Sequence, residues 1–266
     1  MTIQKRVKAL MQTQNLRVSI PNVETFSLAN LKGVETIELD VPSNLRLGHQ
    51  IEKVVSALIQ ASSNFELIAE NVQIIADKIT IGELDFIIKD QANQQLLHLE
   101  LVYKFYVYDP AVSDVELKRW IGPNRKDSLL EKMEKLRTKQ FPLLYRNQTQ
   151  QVLKDINIEA VKQTHCFMAH LFVPYVLYGQ EFSHINNQAI VGYWFHYAEL
   201  DQQLSVNELY YLPTKKEWGL NPADHQNWEN FEEFKPKIVE EIGQKRSPLC
   251  WVKSKTGLKQ CFVVWW

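Results

Sequence analysis

The run LLHLELVYKFYVY at residues 96–108 alternates between two kinds of side chain. Its odd positions up to Phe105 are all apolar or aromatic, whereas its even positions include His98, Glu100 and Lys104. Period-two alternation over this length predicts a half-buried β-strand. The preceding run GELDFIIKD is separated from it by a short polar loop. The two runs are therefore expected to form an antiparallel hairpin.

The register of this hairpin decides which side chains meet. A symmetric loop pairs Lys89 with Leu96 and places Asp85 opposite Glu100. Facing residues on a hairpin lie on the same side of the sheet, with Cβ atoms roughly 5 Å apart. A slip of one residue would turn them to opposite faces. The symmetric register therefore predicts two neighbouring carboxylates.

Helices and strands alternate along the rest of the chain, which indicates an α/β fold. Apolar residues recur at helical spacing over 47–59, and Ser62-Ser63-Asn64 ends that helix. We predict a further helix over 127–140. The other expected elements are a strand over 65–75 with a kink at Asn71, strands at 166–178 and 189–198, a helix over 228–242 broken or kinked by Pro236, and a hairpin over 248–266.

Bulk properties exclude several classes of protein. The three cysteines, Cys166, Cys250 and Cys261, show no CxxC spacing, so neither a disulfide framework nor a zinc knuckle is indicated. No signal-peptide core or apolar stretch of about 20 residues occurs, which predicts a cytoplasmic protein without a membrane partner. The net charge of −1 weighs against avid nucleic-acid binding. A local basic patch or a metal ion would still suffice for an enzyme acting on nucleic acid.

Two facing carboxylates repel, and each raises the pKa of the other unless a cation lies between them. Mg²⁺ (or Mn²⁺) meets that need and leaves coordination sites for phosphate oxygens. Asp85 and Glu100 would be the metal ligands, and Lys104 a supporting cation on the same strand face. The same pattern is also typical of a sheet with one solvated face. Glu52, beside the apolar stripe of its helix, is equally consistent with a surface glutamate.

The segments LGHQIEKVVSALI, FELIAENVQI, TIGELDFII and LLHLELVYK resemble the core of the PD-(D/E)XK nuclease-like superfamily. In that superfamily a helix with a glutamate precedes strands that carry GE[IL]D and then ExK. Within it the chain most resembles a bacterial family of unknown function with the stretches GELDF, HLELxxKFY and WxGPN. These occur here at 82–86, 98–106 and 120–124.

The resemblance implies a restriction-endonuclease-like core, with a helix, a mixed β-sheet with a central hairpin, and a crossover helix. We place this core at 46–175, between an N-terminal cap at 1–45 and a strand-rich C-terminal elaboration at 176–266. The resemblance also implies catalytic roles for Asp85, Glu100, Lys104 and Glu52. The lysine departs from the pattern, because Val102 occupies the usual position and Lys104 follows two residues later, roughly 6–7 Å along the strand.

Other residues allow two interpretations. His98 and Glu83 share the face of the proposed site. Each is either a group that supports the metal ligands or an ordinary structural residue. The stretch 118–139 carries eight Lys and Arg against three Asp and Glu, which fits a nucleic-acid backbone or a charged helix face. Trp120 beside Arg119 fits base stacking or a packed indole.

Three functional hypotheses follow. The first is a metal-dependent nuclease that hydrolyses phosphodiester bonds of DNA or RNA. The second is a catalytically inactive nuclease-like protein that binds nucleic acid or a protein partner, which the displaced lysine favours. The third is a scaffold whose aromatic C-terminal region, with Trp251, Trp265 and Trp266, docks a partner.

Overall fold

The structure, a computed structural model, describes residues 3–16, 18–34, 37–42 and 44–266. It has an α/β fold with a mixed multi-strand sheet. The helices are α1 (Ile3–Gln12), α2 (Leu47–Ala61), α3 (Leu129–Lys135), α4 (Phe141–Leu143), α5 (Asn147–Val152), α6 (Leu200–Gln203) and α7 (Phe231–Gly243), with a π-turn at Leu136–Gln140. The strands are β1 (Glu24–Thr25), β2 (Phe65–Ala76), β3 (Ile79–Asp90), β4 (Leu96–Tyr108), β5 (Trp120–Ile121), β6 (Lys162–Pro174), β7 (Ile190–His196), β8 (Leu209–Tyr211), β9 (Leu249–Ser254) and β10 (Gly257–Val264).

The residues group into two compact units. The first contains the chain up to Tyr103 together with residues 131–168, and the second contains residues 104–130 and 169–266. The division falls within strands β4 and β6 and within helix α3. These two units do not coincide with the cap, core and C-terminal elaboration expected from the sequence, whose boundaries lie at 45/46 and 175/176. That three-part division stays a prediction.

Helix α2 of the first unit spans the predicted residues. Its apolar stripe is almost fully buried, including Ile51, Val54 and Leu58. Burying a side chain of this size stabilises the fold by about 1.5–3 kcal/mol. The helix ends at Ser62, whose backbone is extended. The stripe packs on β2 and β3, so α2 is anchored against the strands that carry the candidate site.

The strands β2, β3 and β4 are antiparallel neighbours in the first unit, and β6 follows β4 in the strand order. The predicted irregularity at Asn71 is confirmed, because that residue has a φ of 50°. Gly82 lets β3 approach α4 closely. A Cβ atom on this glycine would lie 2.6 Å from Cδ2 of Leu143.

The segment predicted as a cap supplies part of the first unit's core. Val7 and Leu10 of α1 are buried, and the N–H of Leu16 donates to the carbonyl of Phe167 in β6. Strand β1 also pairs with β6 in parallel. Main-chain pairing of this kind ties the segment to the sheet.

Strand β4 is buried on both faces within the first unit, so the prediction of a half-buried strand with a solvated face is wrong there. His98 and Glu100 are fully buried, as is Leu99 on the opposite face. The physical reason is that residues 140–141 cover the face of His98 and Glu100, where Gln140 donates to Glu100 and the ring of Phe141 packs against His98. A polar side chain buried in this way needs a hydrogen-bonding partner.

The second unit has its own core and mixed strand pairing. The end of β6 and strand β10 both pair with β7 in parallel, whereas β10, β9 and β8 are antiparallel. The predicted C-terminal hairpin is confirmed, with Gly257 at a φ of 121°. The core residues come mainly from β7, β8, β9, β10 and α7, among them Phe195, Tyr210, Phe234, Ile238 and Val263.

Helix α7 continues through Pro236. Of the two predicted effects of this proline, a break or a kink, the break is therefore wrong. Asn230 and Glu233 form a capping box at its start. The proline lies only one turn further on, so its missing N–H costs a single intrahelical bond. Phe234 and Ile238 on either side are fully buried. The cap and this burial offset the loss.

Candidate functional site

The hairpin register of β3 and β4 is the predicted one from Lys89 with Leu96 to Phe86 with Leu99. The predicted pairing of Asp85 with Glu100 is not part of this register. Beyond this last pair, the side chain of Asp85, rather than a main-chain carbonyl, accepts the hydrogen bond from β4. Its Oδ2 atom accepts a 2.8 Å hydrogen bond from the N–H of Leu101. The carboxylate of Asp85 is thereby fixed where the regular pairing of the two strands ends.

The surroundings of Asp85 disfavour its charged form. Burial, and after it the charge of Glu100, raise the pKa of Asp85 well above its ordinary value of 3.8. Glu52 acts in the same direction, whereas the N–H of Leu101 and the charge of Lys132 oppose it. A divalent cation would reverse this balance, because it would neutralise the carboxylates that repel one another.

Glu100 is fully buried and accepts hydrogen bonds on both oxygens. His98 Nε2 lies 2.9 Å from Oε1, and Gln140 Nε2 donates to Oε2. Against an ionised carboxylate, which only accepts, Nε2 of His98 carries the proton. The other ring nitrogen of His98, Nδ1, is buried without a partner. Two internal donors thus hold Glu100 in one orientation.

Lys132 extends this chain of hydrogen bonds. Its Nζ atom donates to Oε1 of Gln140 at 2.9 Å, while the amide nitrogen of Gln140 donates to Glu100. A straight α-helix would turn residues 132 and 140 about 80° apart. The wider π-turn at Leu136–Gln140 brings the glutamine toward the face of Lys132. The helix therefore presents an amine and an amide to the acidic residues of the sheet.

Glu52 reaches the same region from helix α2. Its charge contributes to the raised pKa of Asp85. Its Oε2 atom lies 2.9 Å from Nδ1 of His49, and its side chain is 27% exposed. The helix glutamate is therefore neither fully solvated nor tied to the hairpin by a hydrogen bond to Asp85.

Lys104 belongs to the second unit, where its Nζ atom lies 2.7 Å from Oδ2 of Asp127. Gly122 of the GPN stretch shapes this pair. Its N–H donates to the carbonyl of Asp127, and the Asp127 carboxylate occupies the space that a Cβ atom on Gly122 would need. The amine predicted for the site thus has a carboxylate partner of its own.

Several other candidates have structural roles. Trp120 is fully buried and packs against Tyr108 and Phe182, so the packed-indole interpretation is correct and its ring offers no face to a base. Within the basic stretch, Arg119, Arg125 and Arg137 are bound by internal acceptors. Glu83 is half-buried on β3 opposite Gln73 of β2.

The C-terminal tryptophans also have internal partners within the second unit. Trp251 is buried, and the indole N–H of Trp266 donates to the carbonyl of Pro123 at 2.9 Å. The guanidinium of Arg125 lies 3.8 Å from the centre of the Trp266 ring. These contacts argue against the scaffold hypothesis, because two of the three rings are engaged inside the unit.

No sequence pattern points to Gln140, which directly follows the basic stretch at 118–139. Lys132 is one of the eight cations in that stretch. Gln140 becomes noticeable only when the π-turn and the buried Glu100 are known. The strand pattern does point to His98, because it lies two residues before Glu100 and therefore on the same face of the strand.

No three His, Cys, Asp or Glu side chains in the described ranges are arranged to hold a metal ion. Mg²⁺ commonly binds through one or two carboxylates, waters and substrate phosphates. Asp85 and Glu100 are carboxylates of the kind that such a site uses. None of the helices in the part of the chain that the structure describes is long and apolar enough to cross a membrane.

Comparison with known proteins identifies one family. The family described as Domain of unknown function (DUF1853) matches residues 27–262, which is most of the chain. No curated protein and no solved structure matches.

Proposed function

The chain belongs to the DUF1853 family, and we propose that it is a divalent-metal-dependent nuclease that hydrolyses phosphodiester bonds of DNA or RNA in the cytoplasm. The proposal includes a restriction-endonuclease-like core of the PD-(D/E)XK type. The observation that carries it is the pair Asp85 and Glu100, held by hydrogen bonds on adjacent strands, with a strongly raised pKa on Asp85.

In this proposal Asp85 and Glu100 hold the metal, and Glu52 adds a third negative charge. Bound there, Mg²⁺ or Mn²⁺ would polarise the phosphodiester and make nearby water more acidic. His98 and Gln140 orient Glu100, and the N–H of Leu101 orients Asp85. Lys104 is assigned to the site by the strand pattern and the resemblance, whereas its ammonium lies against Asp127.

The proposed reaction is a hydrolysis. A water oxygen bonds to phosphorus while the bond from phosphorus to one ester oxygen breaks. One proton of the water ends on the leaving oxygen, so the products are a phosphomonoester and a free hydroxyl. The chain's contribution is to fix the carboxylates in a partly buried place where charge interactions are stronger than in bulk water.

The nucleic-acid partner is supported by the basic stretch at 118–139. Lys126 and Lys139 in that stretch are exposed, and cations of this kind bind phosphates without regard to sequence. The net charge of −1 indicates that such binding would be weak and sensitive to salt.

Incubation of the purified protein with labelled single- and double-stranded DNA and RNA tests the proposal. With Mn²⁺ or Mg²⁺ present, we expect cleavage that EDTA abolishes and that Asp85→Ala and Glu100→Ala both lack. Glu70→Gln, an exposed carboxylate on β2, serves as the matched control. Cleavage that continues unchanged in the two site variants would exclude this site.

A second candidate is a catalytically inactive nuclease-like protein that binds nucleic acid or a protein partner. The complete internal hydrogen bonding of Glu100 favours it, since a carboxylate with two buried donors is stable without a metal. This candidate predicts no heat on titration with Mn²⁺ and no cleavage of any of the four substrates.

A further inference from the structure

We propose that Lys132, on helix α3, supplies the positive charge of the acidic site and holds Glu100 in place through Gln140. This inference rests on the proposed function and assigns within it a role that the strand motif would give to Lys104. Lys132 acts here as a positioning residue, because it works on the acidic side chains through a glutamine amide.

The hydrogen bonds define the direction of this chain. The Lys132 ammonium can only donate, so the group of Gln140 that faces it at 2.9 Å must be the carbonyl oxygen. That fixes the amide so that its NH₂ group points to Oε2 of Glu100. Without the lysine, the carbonyl oxygen of Gln140 loses its donor, and only the bond to Glu100 still orients the amide.

The position of Lys132 adds a second reason. Lys132 is half-buried and is bonded to the glutamine that contacts the fully buried Glu100. Partial burial limits the screening of its charge.

Lys104 has a different environment. Its ammonium contacts the Asp127 carboxylate in the second unit, and that carboxylate neutralises it. Val102 occupies the usual lysine position of the strand motif and is buried. A lysine that enters from the helix supplies the charge that the strand lacks at Val102.

The test compares Lys132→Met with Lys53→Met, which removes the same charge from an exposed position on helix α2. For each variant, kcat is measured at saturating Mn²⁺ and the Kd for Mn²⁺ is measured by titration calorimetry. We expect Lys132→Met to lose about 100-fold in kcat and to bind Mn²⁺ more weakly than the wild type, because Glu100 loses part of the support that holds it in place. Its urea unfolding midpoint should match that of Lys53→Met. Lys132→Arg should recover part of kcat, and Lys53→Met should match the wild type.

Each other outcome overturns the inference. If Lys132→Met keeps kcat within about threefold of the wild type, or loses less than Lys104→Met, Lys132 is not the positioning cation. If the unfolding midpoint of Lys132→Met falls well below that of Lys53→Met, the role of Lys132 is only to maintain the fold. Failure of the proposed function is distinguishable, since in that case the wild type itself neither cleaves nucleic acid nor binds Mn²⁺, and the inference fails with it.

Discussion

The main-chain N–H of Leu101 donates a 2.8 Å hydrogen bond to Oδ2 of Asp85, at the point where the regular pairing of β3 and β4 ends. This bond favours the ionised carboxylate, yet burial and the charge of Glu100 act more strongly and raise the pKa of Asp85. The chain therefore holds an acidic group in a place that disfavours its charge. Unfavourable placement of this kind is common at functional sites, where a ligand compensates for it.

Asp85 should make the stability of the metal-free protein depend on pH. Because its pKa is raised in the folded state, the folded protein keeps a proton that the unfolded chain has already lost. This contribution is complete below the ordinary value of 3.8 and is lost as pH rises through the folded-state pKa. We expect Asp85→Asn, whose side-chain oxygen can still accept from Leu101, to remove this decrease. Urea unfolding in EDTA between about pH 4 and about pH 8 measures it.

The control for this prediction is Glu70→Gln on the neighbouring strand β2, where the carboxylate is exposed. Its unfolding free energy should follow the pH dependence of the wild type. An Asp85→Asn protein that loses stability with rising pH as steeply as the wild type would show that Asp85 is not the titrating group.

Gln140→Ala should destabilise the protein by about 1–3 kcal/mol, since it leaves a buried oxygen of Glu100 without a donor. Chemical denaturation at neutral pH measures the difference in unfolding free energy. Gln150→Ala, an exposed position on α5, should change the unfolding free energy by less than about 0.5 kcal/mol. Equal effects in the two variants would contradict the buried hydrogen bond.

Trp266→Ala should lower the unfolding free energy by about 1–3 kcal/mol through lost packing and a lost hydrogen bond. The matched control is Val176→Ala, since Val176 of the second unit is 80% exposed. Thermal and urea unfolding would show the loss directly. A Trp266→Ala protein of full stability that fails to bind a partner would instead favour the scaffold hypothesis.

The elements with strong periodicity were predictable. Helix α2 occupies the expected residues, and the symmetric loop fixed the pairing of Lys89 with Leu96. Alternation along β4 gave the correct strand but not its burial, because period two is the same for a strand with one covered face and a strand with two. The residues that cover the second face, Gln140 and Phe141, come more than thirty residues after the strand.

The register from Lys89 with Leu96 to Phe86 with Leu99 was predictable because hairpin register is local. The partner Gln140 of Glu100 was not, since it lies forty residues away and reaches the carboxylate through a π-turn. The lysine illustrates the same limit. Strand spacing identified Lys104, while the ion pair of Lys104 with Asp127 and the contact of Lys132 with Gln140 depend on tertiary packing.

A crystal structure of the protein soaked with Mn²⁺ tests the central claim most directly. We expect an anomalous peak between the carboxylates of Asp85 and Glu100, and no such peak in a matched crystal of Asp85→Asn. A wild-type crystal with an empty space between these two side chains at saturating Mn²⁺, or with the ion bound elsewhere, would contradict the account.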